Sequence, residues 1–151
     1  MNDFTYTTNG NPDTAMAIRL EMLKTVNHLP ENWCFDPVLL ERSREYFRSG
    51  NQTTVLAFAD ENVIGCASIC YLLLMPTFNH PTGRRAYIMN VYTKAEYRRR
   101  GIASRMLEIL LEDARSRKTT EVSLDATEAG RPLYRKFGFR PTEEGMVLSL
   151  K

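Results

Sequence analysis

Residues 86 to 93 read Ala86-Tyr87-Ile88-Met89-Asn90-Val91-Tyr92-Thr93 and lead, through a short polar link, to Tyr97-Arg98-Arg99-Arg100-Gly101-Ile102-Ala103. The first stretch is rich in β-branched and aromatic residues and predicts a strand. From residue 102 to residue 118 the pattern changes: Ile102, Met106, Ile109, Leu110 and Ala114 fall on one helical face, and Arg105, Glu108, Glu112, Arg115 and Lys118 on the other. Such a helix packs its apolar face on a sheet. A strand, a tight turn and a helix in succession leave unpaired N–H groups at the helix start, facing whatever lies beyond the strand end.

Upstream, Phe4 and Tyr6 alternate with threonines before Asn9-Gly10-Asn11-Pro12, which predicts a short strand and a turn. Asp13 is the expected cap of a helix over residues 13 to 28, with Met16, Ala17, Leu20, Leu23 and Val26 on its apolar face. A second helix is expected over residues 37 to 49, with Pro37 in its first turn and Gly50 after its end. Residues 53 to 59 and 63 to 74 read as an antiparallel hairpin joined by Asp60-Glu61-Asn62, and residues 75 to 85 as a loop over one end of the sheet. Downstream, residues 121 to 125 form a short strand, 130 to 137 a short helix, Gly138-Phe139 an extended segment, and 146 to 150 a candidate last strand. The order implies one α/β (α+β) domain over residues 1 to 151 with a mixed sheet.

Twenty Lys and Arg against eighteen Asp and Glu leave a formal charge of +2, so nothing general draws the chain to nucleic acid or an anionic membrane. Cys34, Cys66 and Cys70 have no metal-type spacing, and the histidines, His28 and His80, lie elsewhere, which argues against a structural metal or a disulfide framework. The longest mostly apolar run, residues 63 to 76, is shorter than the roughly 20 residues that span a bilayer. No basic-then-apolar leader pattern opens the sequence, and a cytoplasmic protein without a membrane partner is expected.

The arginine turn has two readings. Three consecutive arginines are often a solvated cluster or a nucleic-acid contact. Placed between an apolar strand and an amphipathic helix, with small Gly101 and Ala103 permitting close approach, they read as an anion-binding turn on the positive end of the helix dipole. The motif of a nucleotide P-loop, Gly-x-x-x-x-Gly-Lys-Ser/Thr, is absent, which counts against that reading.

This segment resembles the signature of GNAT-type N-acetyltransferases, Gln/Arg-x-x-Gly-x-Gly/Ala, with Arg98, Gly101 and Ala103 at its defined positions. A second landmark of that family, Leu-Tyr-x-x-x-Gly-Phe, is matched by Leu133-Tyr134-Arg135-Lys136-Phe137-Gly138-Phe139. The resemblance implies a GNAT-like domain whose central, mixed and mostly antiparallel sheet is flanked by helices and splays beside residues 86 to 93 to admit acetyl-CoA. It implies that the strand around Val91, Tyr92 and Thr93 holds the pantetheine arm, and that Arg98, Arg99, Arg100, Gly101, Ile102, Ala103 and Ser104 form the pyrophosphate turn. Tyr134 then corresponds to the tyrosine near the thioester sulfur, a proton donor to departing thiolate. A half-buried aromatic that packs the short helix is the structural alternative. Two positions depart from the family pattern: Thr127 stands where many members have Asn, and Gly130 where many have Ala. Thr127 retains the capacity to hydrogen-bond the pantetheine arm, whereas Gly130 weakens the helix start.

The implied reaction is direct transfer of acetyl from acetyl-CoA, as co-substrate and without a metal, to a primary amine on a small molecule or a protein. The amine must lose a proton before attack. Glu31, Asp36, Glu41, Glu45, His80 and ordered water all stay open as its acceptor. Trp33 and Phe35 either line the acceptor pocket or pack the helices; Cys66 and Cys70 read as small core residues. A homodimer is left open. The rival functions are a non-catalytic acyl-CoA-binding sensor or interaction module, and a nucleic-acid-binding domain built on the arginines.

Overall fold

The computed structural model describes residues 3–151. In chain order it forms β1 (Phe4–Thr8), α1 (Pro12–Val26), α2 (Pro37–Ser49), β2 (Gln52–Ala59), β3 (Asn62–Leu73), β4 (Arg84–Thr93), a 3₁₀ turn (Ala95–Tyr97), α3 (Ile102–Ser116), β5 (Glu121–Leu124) and α4 (Arg131–Lys136). The five strands lie in sequence order, antiparallel from β1 to β4, and β5 joins β4 in parallel. The mixed sheet expected from the sequence is present.

Each helix start follows from local chemistry. Asn11, not Asp13, caps α1: its side chain accepts the Asp13 N–H at 2.8 Å, with Pro12 at the first helical position. Asp36 does the same for α2 through the Val38 N–H at 2.8 Å. The α1 face also differs from expectation. Ala15, Met16, Ile18 and Met22 are buried, while Ala17 is exposed and Val26 is 57% exposed. Apolar residues surround this helix, so periodicity alone does not select the packed stripe.

Two cores sandwich the sheet. On one face, Val55, Ala57, Ala67, Ile69, Ala86 and Ile88 meet Ile102, Met106, Leu107, Leu110 and Leu111 of α3, with Leu133 and Tyr134 of α4 and Phe137 just after it packed beside them. On the other, Leu56, Cys66 and Tyr92 meet Ala15, Ile18 and Met22 of α1. Burial of these side chains stabilises the domain by about 1.5–3 kcal/mol for each large one. Cys66 is a core residue as expected, and burial pushes its thiol up to about 12.

A polar clamp ties α3 to the sheet. Asp113 accepts the hydroxyls of Tyr71 and Thr53 at 2.5 and 2.8 Å, and Arg117 pairs with it at 3.2 Å while stacking on the Tyr71 ring.

The chain after α4 departs from the sequence reading. Gly138 turns back at φ 96°, Phe139 is not in a strand, and residues 146–150 are coil. Met146, Val147, Leu148 and Leu150 are 81–100% exposed. Alternating apolar residues form a strand only when a neighbour completes the ladder, and this segment pairs with none of the described strands.

Candidate active site

The site is organised by what happens at the end of β4. Its parallel pairing with β5 stops at Ile88↔Leu124, so residues 89 to 93 pair with none of the described strands on that side. On the β3 side the register shifts: Cys66 faces Tyr92 and Ser68 faces Met89, leaving Ala67 opposite both Asn90 and Val91. This is a β-bulge, and Asn90 takes its left-handed conformation at φ 63°. Asparagine is among the few residues that tolerate it readily. Met89 and Asn90 consequently both reach the cleft on the α1/α2 side, whereas Val91 packs toward α3.

Beyond Thr93 the chain folds back on itself. The Arg98 Nε–H donates to the Thr93 carbonyl at 2.9 Å and its guanidinium lies 6.0 Å from the Tyr92 ring centre; Arg100 stacks on Tyr97 at 5.6 Å. Arg99 and Gly101 both have positive φ, 63° and 79°, with Arg100 between them. Alternation of this kind turns successive N–H groups into one concavity. The backbone N–H groups of Arg99, Arg100, Gly101, Ile102, Ala103 and Ser104 have no acceptor among the described residues. Space beside Gly101 is open, so φ rather than crowding requires glycine there. These donors, on the positive end of α3, fit a diphosphate.

The other sequence-singled residues are placed as follows. The Tyr92 side chain lies on the α1 face and donates its hydroxyl to Glu21 at 2.9 Å, and the Ile102 side chain is 1% exposed in the core, so only their backbones face the turn. Thr93 Oγ1 is buried without a hydrogen-bond partner among the described residues, close to Gly65 across the ladder. Thr127 accepts the Gly130 N–H on its hydroxyl at 3.2 Å, which shapes the entry to α4 and leaves its own O–H free to donate.

Tyr134 is half-buried on α4, edge-on to Phe139 with ring centres 6.0 Å apart, and its hydroxyl has no hydrogen-bond partner among the described residues. Burial raises its pKa above 10.0, so the phenol keeps its proton at neutral pH. The Gly130 position explains itself here: a Cβ would stand 2.9 Å from Tyr134 Cε2.

On the opposite face of β4, a cleft of about 420 Å³ opens between the helices and the sheet, lined by Arg19, Arg42, Glu45, Tyr46, Cys70, Met89 and Asn90 among others. The Arg19 Nη1–H donates to Asn90 Oδ1 at 2.9 Å, and Asn90 Nδ2–H donates to Ser68 Oγ at 3.2 Å. Burial raises the Tyr46 pKa, helped by the adjacent Cys70. Of the candidate proton acceptors, Glu45 alone borders this cleft. His80 is bound to Thr120 and Glu121, and Trp33 is 48% exposed outside it. Arg19 escaped the sequence reading. The available signal was an arginine within the Ala15-Ile18-Met22 stripe, visible once that stripe is known to be the buried one.

Among the described residues no cluster of three or more His, Cys, Asp or Glu could hold a metal ion, and no helix is long and apolar enough to cross a membrane.

Comparison with known proteins agrees with this geometry. The model of the acetyltransferase (GNAT) family matches residues 20–139. A glucosamine 6-phosphate N-acetyltransferase from Trypanosoma brucei brucei is 33% identical over 88 residues, and the match spans 58% of this chain and 58% of that protein's length. The structure of a predicted acetyltransferase with acetyl-CoA from Clostridium acetobutylicum superposes with a TM-score of 0.85 at 28% identity, covering 98% of this chain and 97% of the other. An acetyltransferase from Trypanosoma brucei superposes at 0.73 with 26% identity, covering 98% and 100%. With the family model matching most of the chain and the strand, bulge and turn in place, this protein belongs to the GNAT acetyltransferase family.

Proposed function

We propose that the protein is an N-acetyltransferase that moves an acetyl group from acetyl-CoA to a primary amine by direct attack in a ternary complex. The observation that carries this reading is the run of unaccepted N–H groups from Arg99 to Ser104 beside the unpaired edge of β4. In this reading those amides, with Arg98 bracing the loop, hold the pyrophosphate. The β4 backbone from Val91 through Tyr92 to Thr93 and the Thr127 hydroxyl hold the pantetheine arm.

The amine, once deprotonated, forms a bond to the acetyl carbon, and the bond from that carbon to sulfur breaks. The Val91 N–H would stabilise the oxygen that gains charge between these events. Tyr134 would give its phenolic proton to the departing thiolate; its free hydroxyl and raised pKa support that role. Glu45, the carboxylate bordering the acceptor cleft, would take the ammonium's proton before attack, directly or through water, and the second proton, shed by the nitrogen as the amide forms, would restore the Tyr134 phenol. Holding both reactants in one orientation supplies much of the acceleration.

The relative that acts on glucosamine 6-phosphate makes an amino sugar phosphate one candidate acceptor. We read residues 1–151 as one cytoplasmic domain. The exposed Met146, Val147, Leu148 and Leu150, with β5 at the sheet edge, support a homodimer. The function is tested by thiol release from acetyl-CoA across an amine panel. Amine-dependent thiol is expected, and in Tyr134→Phe it falls while acetyl-CoA affinity stays. Binding without release for any amine would leave only the acyl-CoA-binding module.

A further inference from the structure

The cleft between α1, α2 and the sheet has an unusual charge inventory. Arg19 is half-buried, and among the described residues its one hydrogen bond goes to the neutral Asn90 side chain. Among the described residues neither Arg19 nor Arg42 lies within ion-pair distance of a carboxylate. Glu45, the carboxylate of the lining, is hydrogen-bonded to the Ser49 hydroxyl at 2.8 Å. A guanidinium stays charged and carries five N–H donors, and withdrawing part of it from water against a single neutral acceptor is costly. That cost is recovered when an oxyanion enters, because charge-assisted bonds to arginine are the strong ones.

We propose that Arg19, oriented by Asn90, and Arg42 at the rim select an acceptor amine that also carries an anionic group, a phosphate or a carboxylate. This rests on the transferase reading above. The cleft volume of about 420 Å³ suits one small molecule of amino-sugar or amino-acid size. Two guanidiniums against one carboxylate repel a purely cationic amine, which arrives protonated, whereas an amine that bears an anion brings its own complement. Glu45 then faces the ammonium, and the arginines the anion.

The test compares amines that differ only in the anion: glucosamine with and without its 6-phosphate, and leucine against leucinamide. The anionic member of at least one pair is expected to have a kcat/KM at least about tenfold higher, and the better pair names the anion. In Arg19→Gln the ratio within that pair should fall by about tenfold or more through KM for the anionic member, with KM for acetyl-CoA unmoved. Arg42→Gln, an exposed change, reads the same ratio should Arg19→Gln fail to fold. Calorimetric titration of the same four compounds reads the preference without turnover. Binding of an anionic amine that depends on the arginines, without thiol release, overturns the transferase reading alone. Equal kcat/KM within both pairs, preference for a neutral or dicationic amine, or an unchanged ratio in the folded variants overturns the anion proposal alone.

Discussion

A Cβ placed on Gly130 would stand 2.9 Å from Cε2 of Tyr134, although the Gly130 backbone lies at φ −84°, where alanine is unstrained. The glycine therefore serves the position of the tyrosine ring rather than the turn. Gly130→Ala should gain at most about 0.5–1 kcal/mol from the stiffer backbone, offset by the shift forced on the packed Tyr134 ring, and should displace the ring that the proposed mechanism sets beside the sulfur. We expect kcat to fall by about tenfold, part of the usual general-acid contribution, with acetyl-CoA affinity within about threefold. Steady-state kinetics beside a thermal melt would show it, and an unchanged kcat would remove Tyr134's placement from the mechanism.

The clamp of Asp113 on Tyr71 and Thr53 bears on stability rather than chemistry. Asp113→Ala strands the Tyr71 hydroxyl and leaves Arg117 without its ion partner, with only the Arg117–Thr53 bond remaining, and should cost roughly 2 kcal/mol, a fall in Tm of about 4–8 °C for a domain of this size. Binding of acetyl-CoA should survive in the folded fraction. A variant with wild-type Tm would show that the network is idle.

Burial, followed by the bond to Asp113, raises the Tyr71 pKa above 10.0; for Tyr87 the bond to Asp125 comes first and then burial, pushing it up to about 12. Because the folded state holds these protons more tightly than the unfolded chain, the stabilisation is complete below about pH 10 and is lost as pH climbs from there through the folded values. Denaturant midpoints should hold between pH 8 and 9.5 on this account and fall above 10. Tyr71→Phe should flatten part of that fall, and a midpoint indifferent to pH up to 12 would contradict the assignment.

The exposed segment 146–150 gives a prediction about assembly. Light scattering should find a dimer for the full chain and a monomer after removal of residues 145–151, because large apolar side chains left in water gain by being covered. A full-length monomer at tens of micromolar would refute the homodimer.

Much of the candidate site's geometry was readable because it is set locally. Arg98 to Ala103 depends on a strand end, a positive φ at glycine and an amphipathic helix, each encoded within a few residues of the others. The place of Tyr134 on a short helix was legible through its flanking Leu133 and Gly138-Phe139. Asn90 was legible in part: alternation sets it opposite Val91 but leaves open whether that is the cleft face, because the bulge, which turns Ile88 and Tyr92 to opposite faces, depends on the β3 partner. Arg19 was hidden for a related reason: α1 has apolar residues around its circumference, and which stripe packs is decided by the sheet. The last strand failed because pairing is a property of two segments, and the sequence of residues 146 to 150 shows only one.

The pyrophosphate turn is tested most directly by titrating the protein calorimetrically with acetyl-CoA, S-acetyl-dephospho-CoA and S-acetylpantetheine. If the amides from Arg99 to Ser104 hold the diphosphate, the first two bind within about tenfold of each other and the third, which lacks it, binds about a hundredfold or more weaker, as the loss of two or three charge-assisted hydrogen bonds implies. Equal affinity for S-acetylpantetheine and acetyl-CoA would contradict that role for the turn.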